Sequence, residues 1–160
     1  MITLRGIALW QMVGGFLILV ATLLAWLSPP SFSLGVVYYV SACLIGLGAM
    51  WAGVGLWRGS GSALLASVAV QAIQAANVSL PGIRFGATLG PLLGLNLTPT
   101  SIGFTLGFYG RGGILIRPVA ISAPFPIQLT INFLAFAAIA LLAKEMGRRR
   151  ALQGEHRPLT

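Results

Sequence analysis

Five amides stand in apolar surroundings where amides are costly. Gln71, Gln74 and Asn77 recur every third residue along one apolar run, and Gln128 and Asn132 lie four residues apart at the start of another. Such side chains bond across a helix bundle for about 0.5 to 2 kcal/mol each. Gathered around an opening, they make a polar pocket instead. Arg84 follows the first group closely and would bring one positive charge to the same place. The chemistry available to these six residues is recognition by hydrogen bonding.

Bond-making chemistry has little to draw on. The chain has no Asp, and its two acids, Glu145 and Glu155, lie near the C-terminus. The single histidine, His156, has no partner in spacing, and Ser31, Ser33 and Ser101 have no base to activate them. A Ser-His-Asp arrangement therefore cannot be assembled. The one cysteine, Cys43, excludes an intrachain disulfide and a thiolate metal site. No phosphate-cradling glycine loop is present. No Asp, Glu, His, Lys or Arg falls inside an apolar run, which argues against a proton-coupled pump. The expectation is a non-enzyme with no cofactor and no metal.

The elements that would position the amides are read from hydropathy. Hydrophobic residues make up 57% of the 160, and charged residues 8%, against about a quarter in soluble domains. Four apolar runs stand out, at 7–27, 36–57, 63–80 and 127–143. The first two have the roughly twenty residues that a helix needs to cross hydrocarbon. Pro29 and Pro30 close the first, and Pro124 and Pro126 open the last. A cleaved leader is the rival reading of the first run, but its apolar core is too long and no A-x-A-like site follows.

The net charge of +8 would suit nucleic acid if it decorated a soluble face. Instead Arg5, Arg58, Lys144, Arg148, Arg149 and Arg150 flank the apolar runs, with Arg157 beyond them. That is a topology signal: positive charge places both termini in the cytoplasm, against anionic lipid headgroups, and no nucleic acid is expected. Arg84, Arg111 and Arg117 fall on the other side, in the long connection 81–126.

That connection is too long for a bare loop. Ile102, Phe104, Leu106 and Phe108 alternate with Gly103, Thr105, Gly107 and Tyr109, which is the period of a strand. Gly110 to Gly113 reads as the turn, Ile114 to Arg117 as the return strand, and Ile83 to Leu89 as a possible third. Ile102, Phe104, Leu106, Phe108 and Tyr109 form a candidate docking face. Ala42, Gly46, Ala49 and Gly53 make a small-residue stripe for close helix packing, with Gly14 and Gly15 as the matching surface.

These readings combine into an all-α polytopic membrane protein of four transmembrane helices. A small extracytoplasmic antiparallel β-hairpin subdomain (81–126) lies between the third and fourth helices, and a basic cytoplasmic tail covers 144–160. The membrane expected is a bacterial inner membrane. The expected role is an accessory or scaffolding subunit that docks another membrane protein, or itself, through the hairpin. The alternative is a small transport or ligand-binding protein centred on the amides.

Overall fold

The computed structural model describes residues 2–27, 35–116 and 127–155. Pro29, Pro30, Ser31, Ser33, Arg117, Pro124, Pro126, His156 and Arg157 lie outside that set. In chain order the elements are α1 (Ile2–Leu27), α2 (Val36–Trp57), α3 (Gly61–Ala75), β1 (Ala76–Leu80), β2 (Ile83–Leu97), β3 (Ile102–Ile116), β4 (Gln128–Asn132) and α4 (Phe133–Glu155).

Two helical segments, Thr3–Leu27 and Val36–Trp57, are long and apolar enough to cross a membrane. Four were expected, and the third and fourth apolar runs are the correction. Each is part helix and part strand. The 15 residues of α3 reach roughly 22 Å at ~1.5 Å per residue, short of the ~30 Å hydrocarbon layer. Asn77 and Val78, both poor helix formers, carry the chain on into β1. The fourth run begins as β4, whose Thr130 and Ile131 favour a strand, and turns helical only at Phe133. β1 and β4 pair antiparallel over Ala76–Ser79 and Gln128–Ile131, so each half-run supplies the other's backbone partners.

The helices α1 and α2 meet along the small-residue stripe. Ala42, Gly46, Ala49 and Gly53 are all buried. A Cβ built on Gly15 would come within 2.6 Å of the Gly46 carbonyl oxygen, and one on Gly53 within 2.7 Å of that of Ala8. Gly14 faces the sheet instead, where a Cβ would meet the Leu89 backbone at 2.7 Å. Between α1 and α3, Ser67 Oγ donates to Gln11 Oε1 at 3.0 Å while Gln11 Nε2 donates to the Ser67 carbonyl at 3.3 Å. Ile7, Ala8, Leu56, Ala63, Leu64, Ala138 and Leu142 form one buried cluster, so the start of α1, the end of α2, the start of α3 and the middle of α4 share one end of the molecule.

The other end carries the sheet, which has four strands among the described residues, in the order β1-β4-β2-β3. It is larger than the expected hairpin and its turn lies elsewhere. β2 and β3 pair along their whole lengths, from Ile83↔Ile116 to Leu97↔Ile102. The turn is therefore Thr98–Ser101, closed by Thr98 N–H to the Ser101 carbonyl and Ser101 N–H to Thr98 Oγ1, both 2.9 Å. Gly112 and Gly113, read as turn glycines, lie within β3 and let it approach the helices. A Cβ on Gly112 would meet Ile18 at 2.7 Å, and one on Gly113 would meet Tyr38 at 2.9 Å.

The register shows that β2 folds back on itself. Its first residues pair antiparallel with β1 and its last antiparallel with β4, while β1 and β4 are antiparallel to each other. The two ends of β2 must then run in opposite directions. The reversal falls between Phe85 and Gly94, where Gly90 holds φ +92 with Trp10 packed against its bare face. β3 follows the same bend, and the doubled ribbon with β1 and β4 curls into a cup.

The faces of this cup are inverted relative to a soluble sheet. On the outside, Ala87 and Leu89 are buried against the helices, but Ile102, Phe104 and Leu106 are 73%, 77% and 79% exposed. Leu9, Phe16, Leu23, Leu44, Leu47 and Trp51 are likewise exposed on α1 and α2. An apolar exterior around a polar interior is the pattern of a β-structure facing lipid.

Candidate functional site

Alternation builds the inside of the cup. Along β2 the odd positions from Ile83 to Leu97 are all apolar, whereas Arg84, Thr88 and Asn96 fall on even ones. Paired strand residues share a face, so Thr105 and Tyr109 on β3, opposite Gly94 and Gly90, turn inward too. The resulting cavity holds about 390 Å³. Its wall takes Asn77 from β1, Arg84, Thr88, Leu92 and Asn96 from β2, Thr105 and Tyr109 from β3, Gln128 and Thr130 from β4, and Tyr38 from α2.

A hydrogen-bonded network stiffens one wall. Asn96 Oδ1 accepts from Thr130 Oγ1 at 2.6 Å and from Gln128 Nε2 at 3.3 Å. Asn96 Nδ2 donates to Thr105 Oγ1 across the β2–β3 ladder. Gln128 Nε2 also reaches Thr130 Oγ1 at 3.3 Å. On β1, opposite Thr130 in the β1–β4 ladder, the Asn77 side chain lies over Gly86, where a Cβ would collide with its amide. Asn77 Nδ2 is buried and has no hydrogen-bond partner among the described residues. Arg84 is exposed and lines the same cavity.

The six residues expected to form one amide cluster are divided. Asn77, Arg84 and Gln128 meet in the cup. Gln74 lies outside its lining, where its Oε1 accepts the Leu89 backbone N–H at 3.1 Å. Asn132 caps α4, its Oδ1 accepting the Leu134 N–H at 3.1 Å. Gln71 is fully buried, and neither of its side-chain polar atoms has a partner among the described residues. The cluster fails as a unit because α3 stops at Ala75, which turns Asn77 onto a strand and away from the helical spacing of Gln71 and Gln74.

Tyr109, placed with the docking face by sequence, lines the cup, while Ile102, Phe104, Leu106 and Phe108 stay on the bare exterior. Asn96, Thr105, Thr130, Thr88 and Tyr38 are site residues that the sequence reading missed. Period-two alternation running on through Leu97 was the signal for Thr88 and Asn96. Nothing in the sequence pointed to Tyr38.

The basic residues gather at the opposite end. Arg58 is the C-cap of α2, and the Arg5 guanidinium lies 5.6 Å from the centre of the Trp57 ring. Arg149 Nη1 donates to the Gly59 carbonyl at 2.8 Å, tying α4 to the α2–α3 turn. Glu145 pairs with Arg148 at 2.8 Å and with Arg149 at 2.9 Å. Hydrogen bonds from Arg148 and then Arg149 hold its carboxyl at about 2, well below the ordinary 4.5. Lys144 and Arg150 are exposed on the same stretch of α4. Among the described residues no group of three or more His, Cys, Asp or Glu is placed to hold a metal ion.

The chain matches no family model, no curated protein and no solved structure.

Proposed function

We infer that this chain is an integral membrane protein that receives a small polar ligand in the cup formed by its folded-back sheet. The observation that carries this reading is the inverted sheet, with a polar cavity of about 390 Å³ inside an exterior of exposed Ile, Leu and Phe. Ligand cavities run from about 300 to 1,000 Å³, so the volume suits a compact molecule. The reading is non-catalytic, since the described lining residues include no acid, histidine or cysteine. The basic end, where α1 starts and α4 carries Arg148 to Arg150, faces the cytoplasm and its anionic headgroups, and the cup faces the opposite side.

Cysteine scanning along β3 tests it, in a Cys43→Ala background and in bilayers. A small water-soluble thiol reagent is expected to label Thr105→Cys and to spare Phe104→Cys and Leu106→Cys. A polar solute that occupies the cup should protect position 105. Uniform labelling of all three positions, or of none, would remove the cup from consideration.

A second reading has its own observation in the stripe Ile102, Phe104, Leu106 and Phe108. It makes the chain an accessory subunit that docks another membrane protein or a second copy. Phe104→Asp or Phe108→Asp should then release a partner that co-purifies at fixed stoichiometry in mild detergent. Lipid covering the stripe predicts no such partner.

A further inference from the structure

The cup is biased toward one kind of ligand. One acceptor, Asn96 Oδ1, is occupied within the wall, where it takes two hydrogen bonds, from Thr130 and Gln128. A donor is left over in Asn77 Nδ2, buried and unpartnered among the described residues. Arg84 adds a positive charge, the one charged group among the described lining residues. Among the described residues no acid pairs with it, and the chain has no Asp. Glu145 is held by Arg148 and Arg149 at the other end of the molecule. An exposed guanidinium at the mouth of a polar cavity is free to pair with an anion that enters it. It also presents a fork of donors that fits the oxygens of phosphate.

Resting on the reading of the cup as a ligand site, we propose that its ligand carries a phosphate-class oxyanion, bound by Arg84 with Asn77 Nδ2. The shared chemistry is a phosphate ester, which either a soluble phosphorylated solute or an anionic lipid headgroup supplies. The volume is larger than a bare ion needs and leaves room for a short polar group attached to the phosphate.

The test is binding to the full chain in nanodiscs of zwitterionic lipid, read by thermal shift and calorimetry. Inorganic phosphate, glycerol phosphate, glycerol and a short-chain, water-soluble phosphatidylglycerol are the probes. Glycerol phosphate is expected to bind and glycerol not to. Arg84→Gln and Asn77→Leu should each weaken binding by roughly tenfold or more, with Arg84→Lys in between. Arg58→Gln, at the opposite end, should leave binding unchanged. Binding of the short-chain lipid without glycerol phosphate identifies the headgroup as the source, and the reverse identifies a soluble phosphate.

Several results would overturn the proposal. One is equal binding of glycerol and glycerol phosphate that Arg84→Gln does not disturb. In that case the ligand cup survives while its preference for anions fails. Equal losses in Arg84→Gln and Arg58→Gln would reduce the effect to general charge. Failure of every probe to bind, in a chain whose position 105 is still protected by some other polar solute, would remove the phosphate assignment alone.

Discussion

Gln74 Oε1 accepts the backbone N–H of Leu89 at 3.1 Å, which ties the last turn of α3 to the middle of β2. The bond falls where β2 has a strand on one side only, between its pairing with β1 at Ile83–Phe85 and with β4 at Gly94–Leu97. A bare strand N–H in apolar surroundings costs several kcal/mol, so a helix side chain supplies the missing acceptor. Ser41 Oγ on α2 does the same for Ile114 N–H on β3, at 2.9 Å. Replacing Gln74 by Leu keeps the volume and removes the acceptor. The expected loss is about 1 to 3 kcal/mol, seen as a lower melting temperature in detergent. An unchanged melting temperature would mean that the tie contributes nothing.

Asn132 is fully buried at the junction of β4 and α4 and caps the helix through the Leu134 N–H. Asn132→Ala should cost about 1 kcal/mol, and Asn132→Ser, another good cap, only a fraction of that. Chemical denaturation of the three proteins ranks them. Equal losses for Ala and Ser would assign the residue's importance to packing and not to the cap.

Glycines on α1 and α2 divide by what a Cβ would meet. Gly15 faces the Gly46 carbonyl at 2.6 Å, while Gly48 has nothing within 4 Å. Gly15→Ala must push the helices apart and should cost about 1 to 3 kcal/mol. Gly48→Ala should be neutral or slightly stabilising, since Ala is the better helix former. Thermal unfolding of the pair decides, and a Gly48 variant as damaged as the Gly15 variant would contradict the seam.

The Glu145 carboxyl is held at about 2 in the folded chain against an ordinary 4.5. A depressed carboxyl stabilises the fold fully above its unfolded value, and the contribution is lost as pH falls toward the folded value. Wild type should therefore melt above Glu145→Gln at pH 6. The gap should close between about 4.5 and about 2. A gap that did not depend on pH would deny the charge any part.

How far the sequence reaches is visible in particular residues. The α1–α2 pair was legible because each run is long, continuous and bounded by aromatic or basic residues, and a continuous apolar run of that length satisfies its own backbone as one helix. The strand character of 102–109 was legible from alternation, which is equally local. The turn was misplaced because Gly110–Gly113 has turn composition, yet Gly112 and Gly113 serve close approach to Ile18 and Tyr38, residues far away in the chain.

By itself, then, the order of residues determined two helices long and apolar enough to cross a membrane, the basic cluster on α4 and the strand over 102–109, since each is a property of one continuous segment. Tertiary structure alone decided that the third and fourth runs break into strands. An apolar run of that length satisfies its backbone as a helix by itself, but as strands only if a partner lies alongside. Those partners, β1 for β4 and both for the folded-back β2, are brought together by pairing across the chain, and the cup exists only once they meet.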